Sequence, residues 1–451
     1  MPCSATLTQL LSVLCAKAAN LSESSLAHLS SGIQTDSRTL KPGEVFLALR
    51  GEKFDGHDFV PMAIEKGAIA AIVDFEYDNS KFPVLQVKNT LEAYQKIGRW
   101  WRDQFPIPVI GITGSVGKTT TKELIAAVLE TKGRVLKTYG NYNNEIGVPK
   151  TLLQLSAEDD FAVIEMAMRG RGQIAELTQI ARPTIGVITN VGTAHIELLG
   201  SEQAIAEAKS ELLAQMPEDS VAILNYDHPR LMETAARVWQ GKVLSYGFSG
   251  GDIQGNLIDS DTLEVGGMQL PLPLPGRHNA SNFLAALAVA KVLGIDWSSL
   301  KSSVKVDMPT GRSQRFTLPN DVVILDETYN AAPEAMQAAL QLLADTPGKR
   351  RIAVLGAMKE LGERSHQLHQ QVGETVQKLK LDALLVLVDG EDAKAIAKSA
   401  EGIPSECFAT HADLVATLKT FVQEGDRILF KAAHSVGLDR VVNQFRTEFA
   451  K

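Results

Sequence analysis

The run Gly114-Ser115-Val116-Gly117-Lys118-Thr119-Thr120 lies between an apolar stretch, Pro108-Val109-Ile110-Gly111-Ile112, and a helical pattern over 121–129. Strand, glycine-bearing turn, Lys-Thr and helix in that order form the plan of a triphosphate cradle. The glycines let backbone N–H groups curl around phosphate oxygens, and the helix N-terminus adds the positive end of its dipole. Lys118 can reach the β- and γ-phosphates, and the Thr119 hydroxyl can hold Mg²⁺. Thr113, Gly114, Ser115, Val116, Gly117, Lys118, Thr119 and Thr120 are therefore the candidate phosphate contacts. The spacing departs from the usual one, which wants glycine at position 112; that residue is Ile, and Gly111 falls one place early. A plain β-turn-α connection that happens to carry Gly and Lys is the competing reading. The strand and helix on either side favour the cradle.

At 451 residues the chain has room for roughly two to four domains. No segment approaches the ~20 apolar residues of a membrane span. The first residues lack a basic segment ahead of the apolar Leu10-Leu11-Ser12-Val13-Leu14, so this start reads as a helix and not as a leader. Three cysteines without metal-ligand spacing fit a reducing, cytoplasmic setting. A net charge of −8, with acidic and basic residues interspersed, shows no basic stripe for nucleic acid.

Residues 1–105 read as a first domain: a short helix, then strands at 44–49, 70–73 and 84–87. Phe105-Pro106-Ile107-Pro108 closes it as a stiff joint. Residues 106–310 alternate strand and helix, the mark of a mostly parallel sheet. The strand candidates 109–112, 161–164, 185–188 and 221–224 are continuous apolar runs, as strands covered on both faces should be. A Pro-rich run at 270–276 reads as extended, and 279–292 as an Ala-rich helix suited to close packing. A second joint, Asp307-Met308-Pro309-Thr310-Gly311, opens residues 311–451, with strands expected at 322–325, 352–355, 383–388 and 427–430. The expected fold is α/β in three domains: a central phosphate-loop domain of mostly parallel sheet, and a C-terminal doubly wound, Rossmann-like domain with ligand groups at the carboxyl ends of its strands.

Glu165 ends one apolar strand, where a carboxylate beside a phosphate loop can hold Mg²⁺ directly or through water; a solvent-facing strand end is the alternative. His195 follows the strand at 185–188 and could ligate a metal or bond an anionic oxygen, although a lone His is usually a satisfied or surface residue. Lys209, on a mixed charged helix, reads from spacing alone as a solvated lysine. Asp326, Tyr329 and Asn330 close a strand of the last domain and enter a helix, where capping and ligand contact are both open. Arg312, just past the second joint, is suited to forked contact with phosphate or is an exposed linker residue.

Taken in order, these residues resemble the Mur ligase family, and the resemblance spans nearly the whole chain. Thr35-Asp36-Ser37-Arg38, Pro42-Gly43-Glu44-Val45-Phe46 and Phe54-Asp55-Gly56-His57 resemble its UDP-substrate domain. Gly140-Asn141-Tyr142-Asn143-Asn144-Glu145-Ile146-Gly147-Val148-Pro149 and Thr189-Asn190-Val191-Gly192-Thr193-Ala194-His195 resemble the member that adds the terminal dipeptide. Gly276-Arg277-His278-Asn279-Ala280-Ser281-Asn282, the stretch 326–333 and the stretch 356–362 complete the set. The resemblance implies that Thr119 and Glu165 bind one Mg²⁺ and His195 a second, and that Lys209 matches a lysine carried by some relatives as a carbamate, against its bland reading above. It implies that Asn279 and Asn282 face adenine, and Arg312 and Asp326 the phosphates and ribose of ATP. Ser37, Arg38, Asn143 and Asn144 would touch the UDP-linked substrate, and the last domain, with Tyr329 and Asn330, the incoming amine. Departures cluster in that domain: Glu327, Ala332, Ala357 and Lys431-Ala432-Ala433-His434 replace more usual residues.

The activity so implied is an ATP-dependent acid–amino-acid ligation in peptidoglycan precursor synthesis. It joins D-alanyl-D-alanine to a UDP-N-acetylmuramoyl tripeptide through an acyl phosphate, in a cytoplasmic enzyme expected to act as a monomer. The preceding ligase, which adds a diamino acid, carries Asp-Asn-Pro-Arg in its last domain. This chain has only Asp227-His228-Pro229-Arg230, in the central one. Folylpolyglutamate synthase lacks the stretch that residues 35–57 resemble. A phosphate-loop switch protein is the alternative of a different class, but a guanine-specific switch would show Asn-Lys-x-Asp, and none occurs.

Overall fold

Short parallel strands covered on both faces are built mainly of apolar residues, and those beside the phosphate loop are apolar up to the carboxyl ends, where Thr113 and Glu165 stand. Val109–Thr113, Ile185–Ile188 and all but the first residue of Phe161–Glu165 are buried in the computed structural model, which describes residues 3–78, 81–302 and 304–449. These strands belong to one of three sheets, each with helices packed on it, so the protein is α/β. Among the described residues no helix is long and apolar enough to cross a membrane.

The first sheet runs Lys17–Ala19, Val84–Val87, Ala70–Asp74, Val45–Leu47, Ile33–Gln34, with only the first pair antiparallel. Among the described residues the central sheet has nine strands. From the edge they are Met268–Pro271, Thr262–Val265, Ile253–Leu257, Lys242–Gly247, Val221–Asn225, Ile185–Ile188, Val109–Thr113, Phe161–Glu165 and Val135–Lys137. The first two pairings are antiparallel and the rest parallel. The third sheet runs Gln314–Leu318, Val322–Asp326, Asp426–Lys431, Arg350–Leu355, Ala383–Leu387, Ser405–Phe408, parallel after an antiparallel first pair.

In the central sheet the chain leaves Val109–Thr113, builds two strands to one side, then crosses to Ile185–Ile188 on the other. That reversal opens a crevice at the strand carboxyl ends, where ligands bind in such sheets. The core divides accordingly. Ile110 and Ile112 pack with Leu124 and Ile125 of the phosphate-loop helix (Lys118–Leu129) and with Phe283 and Leu284 of Arg277–Val292. Val109, Ala162 and Ile164 face Ile174, Leu177, Ile205 and Leu212 on the other side. The Ala-rich helix is buried from Ala285 to Ala290, and small side chains there let the two helices approach closely.

The absent glycine at position 112 has a physical explanation. Ile112 is a regular strand residue, wholly buried and paired with Glu165 and Val187. The turn begins only at Gly114, so no backbone freedom is needed earlier. The extended reading of 270–276 holds only for its start, where Met268–Pro271 is a strand.

Candidate functional site

Strand Val109–Thr113 delivers the turn into the crevice, and the turn depends on two glycines. Gly114 has φ +154 and Gly117 φ +81, and a Cβ at Gly117 would lie 2.7 Å from Asn282 Oδ1. The turn is zipped to the loop after Ile185–Ile188. Ser115 N–H donates to the Asn190 carbonyl (3.2 Å) and Val116 N–H to Asn190 Oδ1 (2.9 Å). The Thr189 hydroxyl and Asn190 Nδ2 donate to the Val116 carbonyl (2.7 and 2.9 Å), and Gly192 N–H donates to Ser115 Oγ (2.8 Å). Among the described residues the N–H groups of Gly117, Lys118, Thr119 and Thr120 find no protein acceptor. Four adjacent donors at a helix N-terminus are an anion site in waiting. Lys118 Nζ folds back onto the Gly114 and Ser115 carbonyls (2.8 and 3.4 Å). Burial pushes its pKa below the ordinary value; Glu165 opposes that, and Arg312 adds to it.

The charges around Lys118 place the next residues. Glu165 is buried; its Oε1 accepts from Asn143 Nδ2 at 2.7 Å, and its Oε2 is buried with no partner. The Thr119 hydroxyl makes no hydrogen bond among the described residues. One orphaned carboxylate oxygen and one free hydroxyl beside a phosphate cradle suit Mg²⁺, which takes one or two protein ligands and fills its shell with phosphate and water. Among the described residues no three His, Cys, Asp or Glu side chains converge on a closed metal cage.

Lys209 is 1% exposed on Glu202–Gln215, and among the described residues its Nζ has neither hydrogen bond nor ion pair. Burial, reinforced by Lys118, holds its pKa well below the ordinary lysine value. The sequence reading of a solvated lysine is thus overturned: the charged neighbours Glu207 and Glu211 point elsewhere, to Arg171 and to the N–H groups of Gly172 and Ala175. His195 follows the strand Ile185–Ile188 through a loop, as its position in the sequence suggests, and stands in the left-handed region (φ +66) at the start of Ile196–Leu199. Its Nδ1 lies 2.5 Å from Glu360 Oε2 of the C-terminal region. Burial lowers its pKa despite that carboxylate.

Asn282 Oδ1 accepts from the Thr121 hydroxyl (3.1 Å), and Asn279 Nδ2 donates to the Pro275 carbonyl while its Oδ1 is buried without a partner. Arg312 stacks over Tyr329, 3.8 Å from the ring centroid, and Tyr329 stacks on His434. Asp326 is buried and raised in pKa by that burial, while its Oδ1 accepts from Thr328 N–H and hydroxyl. Asn330 is exposed, but its carbonyl accepts from the buried Lys431 Nζ at 3.0 Å. Ser37 and Arg38 lie apart on the first sheet's side, Arg38 gripping Asp36 through two hydrogen bonds (2.9 and 2.8 Å). Asn144 Oδ1 accepts from Gly147 N–H at 2.9 Å, so it shapes the loop that presents Asn143.

Residues the sequence reading passed over complete the arrangement. Glu334 accepts from Thr193 N–H (2.7 Å) and hydroxyl (3.0 Å), linking the C-terminal region to the loop that zips the phosphate turn. Glu360 does the same at His195. An acidic cavity of about 470 Å³ opens beside it, lined by Glu197, Lys359, Glu360, Asp389 and Asp392 among others. Only the stretch 356–362 hinted at Glu360; nothing local marks Glu334, whose partner is 141 residues away. Asp227, in the run discounted above, caps a turn by accepting from Phe248 and Ser249 N–H groups.

Comparison with known proteins agrees with this geometry. Residues 30–99 match the model for the Mur ligase family, catalytic domain, 112–290 the Mur ligase middle domain, and 311–434 the Mur ligase glutamate ligase domain. The chain is 59% identical over 418 residues to the UDP-N-acetylmuramoyl-tripeptide–D-alanyl-D-alanine ligase of Synechocystis sp., covering 92% of each. Among solved structures it resembles MurF of Acinetobacter baumannii (TM-score 0.89, 30% identity, 99% of both chains). It also resembles MurF ligase of Thermotoga maritima in complex with ADP (TM-score 0.84, 33% identity, 93% of this chain and 97% of that one). Three models of this family over residues 30–99, 112–290 and 311–434, and a relative 59% identical over 92% of the chain, show what the phosphate turn and its surroundings suggest: the chain belongs to the Mur ligase family.

Proposed function

We propose that the protein joins the amino group of D-alanyl-D-alanine to the terminal carboxylate of a UDP-N-acetylmuramoyl tripeptide, with ATP hydrolysed to ADP and phosphate, as a cytoplasmic step of peptidoglycan precursor synthesis. The 59% identity over nearly the whole length carries the choice of substrates. The free N–H groups of Gly117 to Thr120 carry the choice of a triphosphate.

The tripeptide carboxylate attacks the γ-phosphorus of ATP, forming an acyl phosphate as ADP leaves. The amine then attacks the activated carbonyl, phosphate departs, and the ammonium-derived proton is lost to solvent or to phosphate. Nucleophile and target are both anionic, so the cradle N–H groups and Lys118 screen their repulsion. Lys118 must turn from the Gly114 and Ser115 carbonyls to do so. Thr119 and Glu165 would hold Mg²⁺, with His195 and a carbamylated Lys209 at a second ion; the metal supplies charge neutralisation of the phosphates. Arg312 would reach the γ-phosphate, Asn279 and Asn282 the adenine, and Asp326 the ribose. Ser37, Arg38, Asn143 and Asn144 would line the UDP-linked substrate. The acidic cavity beside Glu360 suits the acceptor's ammonium, and Tyr329 and Asn330 of the same region would also meet the incoming amine. Residues 1–105, 106–310 and 311–451 would act as three bodies that close to exclude water from the acyl phosphate.

Phosphate release with a panel of UDP-muramoyl peptides and amine acceptors, read with product mass, tests this. Release is expected only when carboxylate and amine are both present. Release with ATP alone, at the same rate, would favour a nucleotide switch. Glu334→Ala is expected to raise KM for the dipeptide about tenfold, with a smaller rise in KM for ATP, which the same region would contact through Arg312 and Asp326. Hydrogen bonds to a charged group contribute roughly 1.5–3 kcal/mol, and these two join the C-terminal region to the loop beside the phosphate turn. Steady-state kinetics with each substrate varied checks it.

A further inference from the structure

The loop that carries Asn143 leaves the central sheet in an unusual way. Val135, Leu136 and Lys137 pair in register with Phe161, Ala162 and Val163, and Thr138 N–H still donates to the Val163 carbonyl at 3.0 Å. The next bond departs from the ladder. Glu165 N–H donates to the Thr138 hydroxyl at 3.0 Å, while the Thr138 carbonyl turns aside to accept from Lys122 Nζ at 2.7 Å.

Lys122 is wholly buried on the phosphate-loop helix, one turn beyond Lys118. Its charge meets Glu123 Oε1 at 2.8 Å, and Lys137 Nζ stands 2.7 Å from Glu123 Oε2, close enough for an ion pair though not aligned as a hydrogen bond. A buried ion pair is a weak source of stability, since apolar side chains of the same volume hold a helix as well. Here it has a geometric consequence. With the Thr138 carbonyl drawn to the helix, residues 139–144 fold back over Glu165. Ala167 N–H donates to the Asn143 carbonyl at 2.8 Å, and Asn143 Nδ2 donates to Glu165 Oε1 at 2.7 Å.

We infer that Lys122 is a positioning residue: through Thr138 it couples the phosphate-loop helix to the placement of Glu165, whose unpartnered Oε2 would then be held ready for the nucleotide's metal. This rests on reading Glu165 as a metal-side carboxylate. Partners that orient a ligand from behind typically change metal affinity 10–100-fold when removed.

The test is binding of β,γ-imido-ATP to the full chain by calorimetry, with and without MgCl₂. Wild type is expected to bind more tightly with Mg²⁺. Lys122→Met is expected to bind the metal-free analogue within about twofold of wild type and to lose at least roughly tenfold of the metal-dependent gain. Thr138→Val, which removes the hydroxyl acceptor and leaves the ion pair intact, is expected to show the same loss, and Thr138→Ser to keep the wild-type gain. The Thr138 pair decides the matter if Lys122→Met does not fold. A wild-type gain retained in Lys122→Met and Thr138→Val overturns the inference alone. No gain in wild type overturns the metal reading of Glu165, and the inference with it.

Discussion

Lys118→Ala is expected to lower the rate of phosphate release by roughly 10²–10³-fold or more while the protein stays folded. The rate effect follows from the chemistry: a carboxylate approaches a triphosphate, and removing one preorganised donor to such a developing charge costs about that much. The structural effect is small because Lys118 contributes little to the core. Among the described residues its Nζ bonds only the Gly114 and Ser115 carbonyls of its own turn, and burial disfavours its charge. The turn is held independently by Asn190, Thr189 and Ser115. Thermal unfolding beside coupled phosphate release checks both parts. A folded variant with full turnover would end the reading of 114–120 as a working phosphate cradle.

Lys209→Met is expected to stop turnover and, compared with wild type in CO₂-depleted buffer where Lys209 is a free amine, to raise thermal stability. A polar group buried without a partner costs roughly 1–3 kcal/mol, and Met replaces the amine with a side chain of similar length. Relief of that cost should raise the melting temperature of the central domain by a few degrees, at about 2–4 °C per kcal/mol. The sign of the pH effect follows from the same burial. The folded chain holds Lys209 well below the ordinary value of 10.5. Between those two values the unfolded chain binds a proton that the folded chain does not, so wild-type stability rises with pH across that window. The Met variant should lack that part of the slope.

The loss of turnover comes from a different property of the same group. A neutral buried amine can attack CO₂, forming a nitrogen–carbon bond and losing a proton, which leaves a carboxylate beside Lys118. Depleting dissolved CO₂ is then expected to slow the wild type, bicarbonate to restore it, and neither to affect Lys209→Met. A Met variant that is less stable and still active would contradict both halves.

Much of the candidate site was legible because its residues are local. The glycine turn, the Lys-Thr pair and the helix behind them are contiguous, and the doubly covered strands announce themselves as unbroken apolar runs. Edge strands were harder. Lys17–Ala19, Val135–Lys137 and Ser405–Phe408 are short and half-exposed, so their residues carry no strong period. Lys209 marks another limit: its helix reads as charged, and only packing reveals that the lysine faces inward while its glutamates turn to another helix.

From the amino-acid order alone came the α/β plan, the phosphate turn and the family resemblance, because each rests on neighbours along the chain. The tertiary structure alone decided that, among the described residues, Glu165 Oε2 is buried without a partner and Lys209 is folded inward with no hydrogen bond or ion pair. It alone set Glu334 against Thr193 and Glu360 against His195. Burial and pairing are properties of groups brought together from distant positions, and a sequence does not state those distances until the chain has folded.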